Sequence, residues 1–118
     1  MKKFCVKNVD SFEDPEVGVY AHLTNNQLRN RLDPAHSVMI CESPFVVEVA
    51  LQTSQVPHSF LTDTAHILQA SEILERCGWY RCTQDQNAIP LFVMPPQELE
   101  RLVGYKITRG LLAAMERP

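Results

Sequence analysis

Short apolar runs alternate along the chain with segments whose apolar residues recur at helical spacing, and this alternation restricts the fold most. The runs of strand length are Ser37 to Glu42, Pro57 to Leu61, Ile89 to Met94 and Leu111 to Met115. Parallel strands need a crossover connection, and a helix usually supplies it. The alternation therefore predicts an α/β fold, a single sandwich with a mainly parallel sheet.

Capping residues and prolines set the bounds of the first two predicted helices. The first begins after Thr24, which forms a capping box with Gln27, and it ends before Asp33-Pro34. The second begins after a serine cap, with proline at its first position. The residues on one face of this second helix are Val46, Val49, Ala50 and Thr53.

Two further helices follow, each ended by a glycine. Asp63 or Thr64 caps the third helix, and Gly78 ends it. Its apolar side carries Ile67, Ala70, Ser71 and Leu74. A short fourth helix begins at Pro95-Pro96, carries Leu99, and ends at Gly104.

The remaining segments have weaker patterns. Residues 1–22 are interpreted as an N-terminal arm or edge segment, and Trp79 to Thr83 fits a strand or a loop equally well. There is no internal repeat or linker. With 118 residues, the chain is predicted to form one domain, residues 1–118, large enough to bury a sizeable core.

Charge argues against a uniformly basic surface that binds nucleic acid. The net charge of −3 gives no general attraction to phosphate, so any contact with nucleic acid needs a local patch. One such patch is present after Glu100, where four basic residues stand against one acidic residue, a surplus of three. The basic residues of this patch are Arg101, Lys106, Arg109 and Arg117.

Targeting signals and metal-ligand patterns are not found in the sequence. No run approaches the ~20 apolar residues of a membrane span, and the first residues lack the apolar core of a signal peptide. We therefore expect a cytoplasmic protein with no membrane partner, whose four cysteines are thiols. Cys77 and Cys82 have four residues between them and no matching His/Cys pair, so no metal site is predicted.

Three segments in a fixed order carry a family resemblance. A strand ends at Glu42 before a helix, a second strand precedes a helix centred on Leu99, and the tail from Gly104 to Pro118 has a basic turn that leads into an apolar strand. In their order and spacing, these segments resemble the N-terminal substrate-binding domain of SpoU/TrmH-type RNA 2'-O-methyltransferases. The resemblance covers roughly Tyr20 to Pro118.

The resemblance implies a fold, a partner and a missing catalytic half. The fold is the three-layer α/β/α sandwich shared with kink-turn-binding ribosomal proteins. The catalytic SpoU domain, with its Asn-x-Gly turn and glycine-rich loops for S-adenosylmethionine, has no counterpart in this sequence. No catalytic residue and no cofactor site are therefore predicted here. We expect the chain alone to be a monomer and the parent protein to be a homodimer.

The resemblance also implies RNA-binding residues, namely Arg109, Lys106 and Ser43. The alternative for Arg109 and Lys106 is that they belong to a solvated loop. Arg109 precedes Gly110, where the backbone can come close to a ligand. At the start of the second helix, the family usually has glycine and then, two residues on, a basic residue. Ser43 and Phe45 occupy these positions, so this turn keeps a hydroxyl group but lacks the positive charge.

Several other residues have a structural interpretation that competes with a functional one. Arg29 and Arg31 either extend a basic surface or line a solvated helix face. Trp79 and Tyr80 could stack on unpaired bases, but covering the core is favoured. Glu42 is interpreted as part of a turn at the end of a strand and not as a catalytic carboxylate.

Three functions fit the sequence. The leading hypothesis is a recognition domain that delivers structured ribosomal or transfer RNA to a 2'-O-ribose methyltransferase module. The first alternative is a free-standing RNA-binding module of the kink-turn type. The second is a protein-interaction domain, which would agree with the acidic balance of the chain and with Phe45.

Overall fold

In the part of the chain that the structure describes, six strands form one mixed sheet in the order β2-β6-β3-β5-β1-β4. The computed structural model describes residues 2–21, 38–53, 55–83, 86–104 and 110–116. The strands are β1 Lys3–Asn8, β2 Val38–Cys41, β3 Pro57–Asp63, β4 Tyr80–Cys82, β5 Ile89–Met94 and β6 Leu112–Glu116. β6 is antiparallel to both of its neighbours, whereas β3, β5, β1 and β4 pair in parallel. The fold is therefore α/β, as predicted.

The described part of the chain contains three α-helices and one 3-10 helix. They are α1 Pro44–Gln52, α2 Ile67–Arg76, α3 Pro96–Val103 and the 3-10 helix Pro15–Tyr20. α3 ends at Gly104, whose φ of 91° is a left-handed conformation that glycine adopts without strain. The predicted helix that Thr24 caps lies outside the described residues. No described helix has the length and apolar character needed to cross a membrane.

Apolar side chains pack in two clusters on opposite faces of the sheet. Along β5, Leu91 and Val93 belong to one cluster, and Phe92 and Met94 belong to the other. This alternation follows from the two-residue period of a strand. The first cluster contains the buried apolar residues of α1 and α2, and the second contains those of α3 and the 3-10 helix. Helices therefore cover both faces of the sheet.

The N-terminal segment differs from its prediction. β1 pairs with β5 on one side and with β4 on the other, so it is an interior strand and not an arm or an edge segment. Only Phe4 is fully buried in this strand, and its last two residues are exposed. Because the apolar pattern is so short, the sequence of β1 resembles that of an edge strand. Tyr80–Cys82 is a strand, and it forms the edge that β1 was expected to provide.

The packed face of α1 also differs from its prediction. The buried residues are Val47, Ala50 and Leu51, whereas the side chains of Val46 and Val49 are 46% and 43% exposed. Most of this helix is apolar, so the spacing of its apolar residues does not identify the side that packs. The sheet decides which side is buried.

Candidate nucleic-acid interface

At one end of the sheet, the carboxyl ends of β2 and β3 lie beside the amino end of β6. Cys41 in β2 pairs with Ala113 in β6. On the other side of β6, Leu112 pairs with Leu61 in β3. Because paired strands are about 4.8 Å apart, the residues just beyond these pairs are neighbours. We call this end of the sheet the strand-end surface, and its residues are Ser43, Asp63, His66 and Gly110.

Ser43 connects β2 to α1 and caps the helix, as predicted. Its Oγ accepts a hydrogen bond from the backbone N–H of Val46 at 3.3 Å, and its carbonyl oxygen accepts one from Val47 at 2.9 Å. The residue is only 9% exposed. The hydroxyl proton of Ser43 is therefore the part of its side chain that can still serve a ligand. Phe45, two residues after Ser43, is 72% exposed.

Asp63 organises the turn between β3 and α2. Its Oδ1 accepts hydrogen bonds from the backbone N–H groups of Ala65 and His66, both at 2.9 Å. The same oxygen lies 2.7 Å from Nδ1 of His66. The Asp63 residue is only 3% exposed, so these contacts replace the water that its carboxylate loses on folding. They fix the position and the orientation of the His66 ring.

The His66 ring in turn packs against the backbone of Gly110. Gly110 has a φ of 78°, and a Cβ atom placed on it would lie 2.5 Å from Cγ of His66. The carbonyl oxygen of Gly110 accepts a hydrogen bond from the hydroxyl of Thr62, a buried residue of β3. Gly110 follows Arg109 in the sequence. The chain is therefore held on β3 at Gly110, the residue that follows Arg109 in the sequence.

The positive charge predicted for this site rests on Lys106 and Arg109, which both lie outside the described residues. Arg101, a third basic residue of the same patch, is held elsewhere. Its guanidinium carbon lies 4.4 Å from the ring centroid of Phe12, and its Nη1 lies 3.4 Å from a carboxylate oxygen of Glu98. Arg101 therefore contributes to the attachment of the N-terminal segment to α3.

The structure also tests some of the competing interpretations. Trp79 is 7% exposed and packs edge-on against Phe60, with ring centroids 5.5 Å apart, so it covers the core as favoured. Tyr80 is 62% exposed on the edge strand β4, so the favoured interpretation that it covers the core is wrong. Arg29 and Arg31 lie outside the described residues. Glu42 is an exposed residue that directly follows β2.

Cysteine chemistry is not favoured at either of the two thiols whose pKa is shifted. Burial raises the pKa of Cys41 and is also the largest cause of the raised pKa of Cys77. Since the thiolate is the reactive form of cysteine, both thiols are poor nucleophiles at neutral pH. Among the residues that the structure describes, no group of three or more His, Cys, Asp or Glu residues could hold a metal ion.

Comparison with known proteins adds no family to this picture. No protein-family model matches the sequence, and no curated protein matches it. The functional hypothesis is therefore carried by the resemblance of the three sequence segments and by the geometry of the strand-end surface.

Proposed function

We propose that this chain is an RNA-recognition domain that presents structured ribosomal or transfer RNA to a 2'-O-ribose methyltransferase module. The observation that supports the proposal most is the attachment of Gly110 to β3. Of the two predicted phosphate-binding residues, Arg109 immediately precedes this attachment point in the sequence, and Lys106 is four residues before it. Ser43, the third predicted RNA-binding residue, lies at the same end of the sheet, because β2 pairs with β6.

The proposal includes a three-layer α/β/α sandwich similar to kink-turn-binding ribosomal proteins. Its support is the packing of helices on both faces of a mixed sheet. In this arrangement the loops at one end of the sheet share a surface, although residues far apart in sequence contribute to it. A surface of this kind recognises RNA by shape and by phosphate contacts, which position the RNA for another domain.

Each predicted residue has a distinct role in the proposed contact. Arg109 offers a planar guanidinium that can donate two hydrogen bonds to one phosphate, whereas Lys106 acts as a point charge. Ser43 can donate its hydroxyl proton at the amino end of α1, where the backbone dipoles favour a negative group. None of these residues transfers a proton, so the reaction belongs to the catalytic domain of the parent protein. That domain would bind S-adenosylmethionine and form the homodimer.

A protein-interaction domain is the second candidate, and the exposed apolar residues at the start of α1 and α2 favour it. Phe45 is 72% exposed and Leu68 is 75% exposed. Each is the second residue of its helix, and both helices begin at the strand-end surface. A partner protein could therefore cover the region that we assign to RNA.

Titration of a labelled transfer RNA, or of a structured ribosomal RNA fragment, into the purified chain separates the two candidates. Two phosphate contacts predict weak binding that falls about tenfold between roughly 50 and 200 mM salt. A DNA duplex of equal length is the control, since it offers phosphates without RNA shape. Absence of RNA binding at the lowest salt, or equal binding to both nucleic acids, would contradict RNA recognition.

A further inference from the structure

Two cysteines lie side by side on the last two strands of the sheet. Cys5 in β1 and Cys82 in β4 are partners in the parallel register, so their Cα atoms are about 4.8 Å apart, the usual spacing of neighbouring strands. Because the pleats of paired strands are in phase, partner residues project from the same face of the sheet. The two thiols are therefore neighbours, although they are far apart in the sequence.

The pair projects from the face of the sheet on which the 3-10 helix packs. Phe4, the residue before Cys5, belongs to the first apolar cluster, so Cys5 projects from the opposite face. Lys7 lies two residues after Cys5 and shares its face. The Nζ of Lys7 donates a hydrogen bond of 2.7 Å to Glu16 in the 3-10 helix, which identifies this face. Cys82 projects from the same face as its partner.

Both thiols are partly exposed and lie outside the apolar core. Cys5 and Cys82 have intermediate exposure, and neither is among the described residues that form or pack against the two apolar clusters. The other two thiols differ from them. Cys41 is buried, and Cys77 packs against the first cluster on the opposite face of the sheet. Among the four cysteines, only Cys5 and Cys82 are placed to react with each other.

We propose that Cys5 and Cys82 form a redox-responsive dithiol, which a low-molecular-weight disulfide such as oxidised glutathione converts to an internal disulfide. The Cα separation of about 4.8 Å lies within the range of roughly 4.4 to 6.8 Å that disulfides span. One thiolate attacks a sulfur of the small disulfide and releases one small thiol. The second thiolate then attacks the protein sulfur of this mixed disulfide and releases the other small thiol. The two protein thiols lose two electrons and two protons, and the small disulfide gains them.

The bond would join the N-terminal strand to an edge strand of only three residues. The strands β1 and β4 lie on the opposite side of the sheet from β2 and β6, so the reaction does not depend on RNA recognition. A reducing environment keeps such a pair as two thiols, and an oxidising environment converts it to the disulfide. The pair therefore responds to the redox state of its surroundings.

The mass of the intact chain, measured after alkylation of all free thiols in urea, follows the reaction. The reduced chain should carry four alkyl groups, one on each cysteine. After the folded chain has reacted with about 1 mM oxidised glutathione near pH 8, it should carry two fewer. The internal disulfide should exceed glutathione adducts of these two thiols at least about tenfold, because the fold holds the second thiol next to the first. Peptide mapping should join Cys5 to Cys82, and dithiothreitol should restore all free thiols.

Three serine variants test whether the named thiols form the bond. Cys5→Ser and Cys82→Ser should each abolish the internal disulfide and leave glutathione on the remaining thiol of the pair. Cys77→Ser removes a partly exposed thiol from the opposite face, so it is the matched control and should form the disulfide like the parent. Melting curves would show that every variant is folded, and the peptide map of the parent needs no variant.

Three results would overturn the proposal. Glutathione adducts without an internal disulfide would show that the two sulfur atoms do not meet in the folded chain. A disulfide that includes Cys77, or one that forms only after urea has unfolded the chain, would contradict the strand pairing as its cause. The absence of any reaction between the folded parent and oxidised glutathione would show that the pair is closed to small disulfides.

Discussion

Replacing Gly110 with alanine is expected to lower the free energy of unfolding by about 2 to 4 kcal/mol. The φ of 78° is strained for alanine, and the new Cβ would lie 2.5 Å from Cγ and 2.6 Å from Cβ of His66. The ring cannot easily move away, because Asp63 holds its Nδ1 at 2.7 Å. Urea unfolding of the parent and the variant measures the loss.

Two controls isolate the clash from the general effect of adding a methyl group. Gly18→Ala places a Cβ where no atom lies within 4 Å, and it should change stability by less than about 0.5 kcal/mol. In a His66→Gly background, Gly110→Ala should lose at least half of its cost, because the atoms that it strikes are gone. If the cost is the same in both backgrounds, His66 does not hold the chain at Gly110.

The second large effect is a loss of folding stability at alkaline pH. It arises from Tyr20, which is fully buried in the cluster that includes α3. Burial raises the pKa of the Tyr20 phenol well above its ordinary value, although a hydrogen bond with Ser59 Oγ at 2.8 Å opposes the rise. The unfolded chain releases the phenolic proton near pH 10, and the folded chain retains it. The stability that this group contributes is therefore complete below about pH 10. Above that pH it falls by about 1.4 kcal/mol per pH unit until the folded pKa is reached.

Tyr20→Phe should remove the part of the alkaline loss of stability that the Tyr20 phenol causes. At neutral pH the variant should be less stable by about 1 kcal/mol, since the hydroxyl of Ser59, a residue only 6% exposed, loses its partner. Tyr80→Phe, at a residue 62% exposed, is the matched control and should keep the alkaline loss. Unfolding free energies measured between about pH 8 and 12 test this. An identical pH dependence in the parent and in Tyr20→Phe would contradict it.

The sequence predicts the fold best where one residue type has one physical meaning. β5 has the predicted bounds Ile89–Met94, and α3 begins at Pro96 and ends at Gly104. Prolines and glycines act locally, so their effect can be predicted without knowledge of the rest of the chain. The buried side of α1 and the interior position of β1 could not be predicted in this way. Both depend on which strands and helices become neighbours.

The strand-end surface was predictable only in part, for the same reason. Ser43 is a local cap, and the sequence predicts it. The contact of His66 with Gly110 joins residues 44 positions apart, and no spacing rule indicates it. The one local signal is the glycine after Arg109, which indicates a site of close backbone approach. The structure shows a close approach at this glycine, and the atoms that approach it belong to His66.

The most direct test of RNA recognition through Arg109 is a binding measurement with a structured ribosomal or transfer RNA fragment. Affinity is measured at several salt concentrations for the parent, Arg109→Ala and Arg81→Ala. Arg81 is exposed on β4, at the far edge of the sheet, and its replacement changes the net charge equally. Arg109→Ala should weaken binding and flatten the plot of log affinity against log salt by about 0.7 to 0.9. Arg81→Ala should do neither. If Arg109→Ala binds like the parent at every salt concentration, the basic turn before Gly110 is not an RNA-binding surface.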